Sequence, residues 1–523
     1  MSSSVVELRR LIQENTRIQK GSSIEIDYVD VTHALADAMT RQNHVVFGRR
    51  GCGKSLLLDR VRKGVGPSIR AVYINCEDYK HHSFPNVLIE ILDVVFDEME
   101  THLGGWFGKK KQLRVLVTAL RKELADLRKS QDEVTSKVTR KSEIENKGSA
   151  TFGATVPHAK ADLGLSSAKK ESIEAEYQTF DDKIRELNQL LPRLKKMIEQ
   201  FFGLSQKVQV LYIQLDDFYQ LRRPIQPYVA DYVHRLCKDV PLFFKIGTLR
   251  HASSLYADRD HQPIGAQERH DYQPINIDYT LAEFKKTSVQ IRKILQEYAN
   301  KAGMSAIEAD SLFKGEGFNR LVLASGGVPR DFLSLLLEAL AQKANGDERI
   351  GKDDVRTLSL STFQRRIEEL KADSEEKDHD VLIRGIYAIR KFCLDRKTNV
   401  FLVADKTMQE KSAIKDLLNR LLDYRIIHLV GTALTHKSQT GTFTGYMIDI
   451  GAYANLRKLM NKFKEIDVTS HDAKEQCRNA PILEGGTLNG FFTSAPRDIE
   501  KALIAEVEEQ TEEGDYPTLC VTT

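Results

Sequence analysis

The stretch His44-Val-Val-Phe47-Gly48-Arg-Arg-Gly51-Cys-Gly53-Lys54-Ser55-Leu56-Leu-Leu-Asp59 decides the fold class. Its first four residues read as a short buried strand, Gly48 to Ser55 as a G-x-x-x-x-G-K-S loop, and Leu56 onward as a helix. Glycines in such a loop let backbone N–H groups wrap a phosphate chain, and the helix N-terminus adds partial positive charge. Gly48, Gly51, Gly53, Lys54, Ser55 and Leu56 are therefore the expected phosphate cradle. Lys54 is placed to reach the β- and γ-phosphates and the Ser55 hydroxyl to hold Mg²⁺, so ATP and Mg²⁺ are the implied ligands. A plain glycine-rich turn is the alternative, and the strand–loop–helix context disfavours it. Cys52, inside the loop, reads as a small packed side chain rather than a reactive thiol.

A loop of this kind needs an acidic partner on a neighbouring strand. Val208-Gln-Val-Leu-Tyr-Ile-Gln-Leu215-Asp216-Asp217 supplies one, with strand-forming residues running into two carboxylates. Asp216 is expected in the Mg²⁺ shell and Asp217 beside the attacking water. Arg70-Ala-Val-Tyr-Ile-Asn75 reads as a second strand, and Pro241 to Thr248 and Arg250 as another with a polar tip. Strands alternating with helices argue for an α/β fold with a parallel sheet and its ligand at the carboxyl ends of the strands.

Farther on, Ser325-Gly326-Gly327-Val328-Pro329-Arg330 follows a helical segment that begins near Leu281. The order of P-loop, Asp-Asp strand, polar-tipped strand and Gly-Gly-x-Pro-Arg resembles AAA+ ATPases of the origin-recognition (ORC)/initiator type, and their STAND signalling relatives. The resemblance covers residues 25–105 and 205–345. It implies an ATPase with a helical lid, in which Arg330 is the sensor-2 arginine that touches the γ-phosphate. It also puts Thr248 at the sensor-1 position and Arg250 at the strand-end arginine of STAND proteins. The second acid is Asp217 where many hydrolytic members carry Glu, which implies slow turnover. If the protein forms a homo-oligomeric ring, an arginine acting in trans is implied, with Arg222, Arg223, Arg259 and Arg269 as candidates.

Residues 105–202 are too long for a plain crossover. Apolar residues recur at heptad spacing from Leu113 to Val138 and again from Ile173 to Ile198, each run roughly four repeats long. Between them, residues 151–156 and 159–165 read as a β-hairpin around Pro157-His158. An inserted antiparallel coiled-coil arm about 40 Å long with a β tip is the expectation, and helices lying on the body are the alternative. Such an arm suits a protein partner or self-association. Pro192 is expected to kink the return helix.

Residues 376–465 read as a C-terminal winged helix, a domain in which initiator-type ATPases usually end. Two amphipathic helices, Val381–Phe392 and Lys411–Leu422, flank a strand at Asn399–Val403, and two further strands enclose a polar loop. The short middle helix of a helix-turn-helix is not evident between Ala404 and Glu410. Lys411, Lys415, Arg420 and Lys437 are the candidate phosphate contacts to duplex DNA. They lie in a basic block: residues 381–460 carry 13 Lys/Arg against 6 Asp/Glu, whereas 471–523 carry 4 against 11. Residues 466–523 accordingly read as an acidic tail.

The chain of 523 residues suits several domains, and 41% hydrophobic with 29% charged residues excludes wholesale disorder. The expected division is 1–104 with 203–275 for the nucleotide core, 105–202 for the arm, 276–375 for the lid, then winged helix and tail. No apolar run is long enough for a membrane span, and the N-terminus lacks a signal peptide's apolar stretch. Six scattered cysteines, with none at C-x-x-C spacing, point to a reducing cytoplasm. Two functions fit: a DNA-associated ATPase with an ATP-dependent closed state, or a STAND-like nucleotide switch that recruits an effector through its arm. No nuclease, protease or deaminase constellation is visible.

Overall fold

In a computed structural model, residues 3–15, 26–30, 32–103, 108–148, 181–259, 262–343, 349–374, 376–453, 463–495 and 499 are described. In chain order the first elements are α1 (Ser3–Asn15), α2 (Ala34–Ala38), β1 (His44–Phe47), α3 (Lys54–Gly64), β2 (Ile69–Asn75) and α4 (Phe84–Thr101). Then come α5 (Lys109–Gly148), α6 (Asp181–Leu204), β3 (Val210–Asp216), α7 (Gln226–Cys237) and β4 (Leu242–Thr248). A hairpin of β5 (Tyr256–Arg259) and β6 (Gln262–Gly265) precedes β7 (Gln273–Asn276). The helices α8 (Phe284–Lys301), α9 (Ala306–Ser311), α10 (Gly317–Ala324), α11 (Pro329–Gln342), α12 (Lys352–Asp373) and α13 (Glu376–Asp395) follow. The C-terminal elements are β8 (Val400–Ala404), α14 (Asp405–Glu410), α15 (Ser412–Asp423), β9 (Ile427–Thr435), β10 (Thr442–Ile448), α16 (Ala473–Cys477) and α17 (Gly485–Thr493).

Five strands form one parallel sheet in the order β2-β3-β4-β1-β7. Strands β1 and β3 are buried along their whole length, as parallel strands covered on both faces must be. Alternation decides which layer each residue joins: Val45 packs with α4 and α7, while the next residue, Val46, packs with α2 and α3. Register brings the strand ends level, with Phe47 opposite Thr248 and Asn276, and Asn75 opposite Asp216. The sequence reading missed β7. Its four residues include Pro274, which an edge strand tolerates because one side needs no ladder bond.

The long insertion packs differently from the expected free arm. Leu113, Val117, Leu120 and Leu124 of α5, and Leu187, Leu194 and Ile198 of α6, belong to the same apolar cluster as α4, α7 and the sheet. Polar contacts reinforce this. Arg121 on α5 meets Asp93, Asp97 and Glu100 on α4, and Lys183 on α6 donates to Asn86 at 2.6 Å. A heptad seam satisfies any long apolar surface, and here α4 supplies one. Helix α6 runs on through Pro192, and the expected β tip lies outside the described residues.

A second large core joins α1, the helices α8–α12 and the C-terminal elements without a break. Strands β8, β10 and β9 form an antiparallel sheet with β10 central, and the polar loop falls between β9 and β10 as expected. Helix α14 occupies the stretch where the sequence showed none. It is six residues long with no buried residue, so hydrophobic periodicity could not reveal it. The start of the expected acidic tail is also built into this body. Leu402 bonds Pro481 and Leu483 through the backbone, and Val468, Cys477, Leu483 and Leu488 are buried. Among the described residues no helix is long and apolar enough to cross a membrane, and Cys52, Cys76, Cys237, Cys393 and Cys477 are free and buried.

Candidate functional site

The loop between β1 and α3 turns on two glycines at positive φ, Gly51 at 89° and Gly53 at 95°. Only glycine takes these angles without strain. Crowding excludes any other residue at Gly51, where a Cβ would stand 2.8 Å from the Cβ of Arg330 and 3.0 Å from Val328. The turn puts Lys54 at the first position of α3, buried, with Nζ donating to the carbonyls of Gly48 (2.8 Å) and Arg49 (3.3 Å). Burial lowers the ammonium's pKa, and Asp217 and Asp216 oppose that effect. Ser55 and Leu56 follow in the same turn, half-buried.

Asp216, at the end of β3, is buried and oriented from two sides. The Tyr73 hydroxyl donates to Oδ2 at 2.8 Å and the N–H of Asp217 to Oδ1 at 2.9 Å. Room for this carboxylate comes from Gly247 on β4, where a Cβ would lie 2.8 Å from Oδ1. Asp217 adopts a left-handed backbone (φ 48°) that turns the chain out of the strand. Burial and the neighbouring Asp216 push its pKa up to about 6, against the pull of Lys54 and Arg50. Nearby, Tyr219 offers its ring to Lys54, with Nζ 5.8 Å from the centroid.

Thr248 is buried at the end of β4, its hydroxyl paired with that of Ser253. Arg250 points elsewhere: it forms two hydrogen bonds to Glu268 (2.8 and 3.1 Å) and lies over the Phe47 ring. Arg330, in the first turn of α11, donates its backbone N–H to the Gly51 carbonyl at 3.3 Å. Among the described residues no acceptor meets its guanidinium. Burial lowers its pKa, and Arg425 and Arg50 add to that against Asp331.

Sequence reasoning missed the charged groups that tie this site to the rest of the chain. Arg49 grips Asp278 through Nε (2.7 Å) and Nη2 (2.9 Å), and also donates to the Gly326 carbonyl at 2.9 Å. Arg50 pairs with Asp373 at the end of α12. The C-terminal elements reach the site directly. Asp423 accepts the N–H groups of His251 (3.1 Å) and Ala252 (2.6 Å), and Asp416 pairs with Arg223 at 2.7 Å. Arg425 bonds Asp331 (2.8 Å), the Arg50 carbonyl (3.3 Å) and Glu369. Each of these pairs joins distant segments, so no local pattern marks it. The one available signal was that P-loop arginines need acidic partners when buried.

Two of the four DNA candidates are paired within the chain. Arg420 is held by Asp378 at 2.9 Å and Lys437 pairs with Glu475 at 2.8 Å. Lys411 lies over Gly485, and Lys415 is exposed on α15. Of the candidate trans arginines, Arg223 is taken by Asp416, and Arg269 stands in a left-handed turn (φ 66°).

Among the described residues no three His, Cys, Asp or Glu side chains are grouped to hold a metal by themselves. A Mg²⁺ in a nucleotide site is commonly bound through one or two protein oxygens together with phosphate oxygens. Ser55 and Asp216 are the residues that could hold it.

No family model and no curated protein matches the chain. Among solved structures, two variants of Thermotoga maritima RuvB are similar at 11% identity with TM-scores of 0.30 and 0.29. They cover 81% and 82% of this chain and 91% and 92% of their own. Likeness at this level establishes neither family nor function.

Proposed function

We propose that the chain is a P-loop ATPase of AAA+ type that binds Mg-ATP, hydrolyses it slowly, and works as a nucleotide-controlled switch. The observation that carries this reading is the glycine turn at Gly51 and Gly53, which sets Lys54 at a helix N-terminus under an arginine, Arg330, whose guanidinium meets no acceptor among the described residues. The backbone N–H groups from Gly51 to Leu56 and the Lys54 ammonium bind the phosphates. Bound Mg²⁺ would supply charge neutralisation between the phosphates. Asp217 orients the attacking water and takes its proton, and its raised pKa near 6 leaves it ionised at neutral pH. Arg330 adds positive charge from the lid, and Thr248 is the polar group at the neighbouring strand end.

The switch is supported by the way Asp416, Asp423 and Arg425 dock the C-terminal elements on the strand ends and the P-loop. The face of α15 that would meet another macromolecule is partly used inside the chain. A duplex-DNA role keeps one specific support, the exposed Lys411 and Lys415 at the start of α15. Calorimetric titration of Mg-ATP into the wild type and Lys54→Ala, with phosphate release measured on both, tests the ATPase reading. Absence of binding by the wild type ends it.

A further inference from the structure

The residue after the candidate sensor arginine carries an unusual load. Asp331 is half-buried and held by two guanidinium groups at once: Arg425 donates to Oδ1 and Arg366 to Oδ2, both at 2.8 Å. Although burial favours its neutral form, the two arginines keep its pKa below the ordinary carboxylate value. Arg366 continues to Asp449, which also meets His428 at 3.0 Å. Arg425 continues to Glu369 on α12 and to the Arg50 carbonyl in the P-loop.

Arg425 also has a backbone that few residues adopt. Its φ is 63°, and the residue is 2% exposed. The left-handed turn closes α15: the Arg425 N–H donates to the Leu422 carbonyl at 3.0 Å and the Ile426 N–H to the Leu421 carbonyl at 2.9 Å. The side chain it presents is held by a P-loop carbonyl, the carboxylate next to Arg330, and a carboxylate of α12. The C-terminal segment thus sends one side chain into the junction between P-loop and lid.

We propose that Asp331 and Arg425 are the pair that transmits nucleotide state from Arg330 to the C-terminal elements, with Arg425 a positioning residue. This rests on the ATPase reading above. Arg330 and Asp331 are consecutive in the first turn of α11, so a shift of Arg330 toward a γ-phosphate carries Asp331 with it. A displacement of about 1 Å takes a 2.8 Å hydrogen bond out of range. Asp331 then keeps one guanidinium and loses the other. Release of Arg425 frees the Arg50 carbonyl and loosens the docking made by Asp423 and Asp416. ADP lacks the γ-phosphate and leaves the pair closed.

Hydrogen exchange on the full chain, with ADP or a slowly hydrolysed ATP analogue, tests this in wild type, Asp331→Asn, Arg425→Gln and Arg425→Lys. In the wild type, amides of residues 412–428 should exchange about tenfold faster with the ATP analogue than with ADP. Asp331→Asn and Arg425→Gln should still bind both nucleotides but exchange fast with either, so that the difference vanishes. Arg425→Lys keeps the charge without the fork, should restore part of the difference, and serves if Arg425→Gln does not fold. A merely structural residue would lower protection equally in both states and leave the ratio intact. A wild-type ratio of one, or a ratio unchanged in both Asp331→Asn and the Arg425 variants, overturns the transmitting pair while the ATPase reading stands. Failure of the wild type to bind either nucleotide overturns both.

Discussion

Arg330 and Gly51 are joined by a backbone hydrogen bond of 3.3 Å, from the N–H at the start of α11 to a carbonyl in the phosphate loop. Helix α11 therefore touches the loop through main chain, which leaves the Arg330 side chain out of that contact. A Cβ at Gly51 would press on the Cβ of Arg330 at 2.8 Å, on a backbone at φ 89°. Gly51→Ala should cost about 1 kcal/mol or more from conformation alone. Displacement of Arg330 adds to that, and ATP affinity should fall at least about tenfold in a calorimetric titration.

Acidity around Asp217 gives a pH test. Its pKa is raised from 3.8 to about 6, by burial first and then by Asp216, with Lys54 and Arg50 opposing and Glu77 assisting. Hydrolysis needs the ionised carboxylate, so the rate should rise with pH through about 6 and be lost on acidification below it. Asp217→Asn should retain nucleotide binding, lower phosphate release by about 10²–10⁴-fold, and remove that inflection. An unchanged inflection in the variant would assign it to another group.

Lys54 and Arg330 should separate binding from coupling. Lys54→Ala removes the ammonium that sits on the Gly48 carbonyl, and should abolish ATP binding. Arg330→Ala removes a guanidinium that meets no acceptor among the described residues, so folding should be nearly unaffected. Its expected signature is loss of the nucleotide-dependent difference in hydrogen exchange at residues 412–428, with a smaller change in affinity.

Packing of the insertion sets where it can be cut. Val117, Leu120 and Leu124 share a core with Leu92, Val95, Phe96 and Met99 of α4. Replacing residues 108–200 by a short linker would expose that face. Aggregation is expected, since each fully exposed large apolar side chain costs about 1.5–3 kcal/mol. Replacing only 130–180 keeps the core contacts of α5 and α6, and should leave a soluble chain that still binds ATP. Gel filtration of the two deletions decides between them.

Duplex binding, if it occurs, should depend on two of the four basic candidates. Lys411→Ala with Lys415→Ala should flatten the log–log salt dependence by about 0.9 per lost phosphate contact, similarly on unrelated sequences. Arg420→Ala should act on stability instead, because it leaves the half-buried Asp378 unpaired. A salt slope that responds to Arg420 and not to Lys411 and Lys415 would move the interface away from the start of α15.

The phosphate loop and the Asp216-Asp217 strand end were legible because each is contiguous: strand, turn and helix signals fall within a dozen residues. Gly-Gly-Val-Pro-Arg330 was legible through resemblance, and the structure sets it against the loop. The insertion was half legible. Its heptads announced two helices but not their partner, since an apolar seam packs equally well on a second helix or on a body. Helix α14 and strand β7 escaped because a six-residue helix with one apolar side chain, Met408, and a four-residue strand with Pro274 carry no period.

By itself the sequence determined the local pieces of the proposed site: a glycine turn, a lysine at the helix start, and carboxylates at a strand end. Local geometry follows from local residue type, so these needed no fold to be read. Only the tertiary structure decided that Arg49 meets Asp278, that Asp331 is shared by Arg366 and Arg425, and that Asp423 caps the turn at His251. Buried charges must find partners, but which partner depends on how distant elements pack, and the register of that packing is written in no single segment.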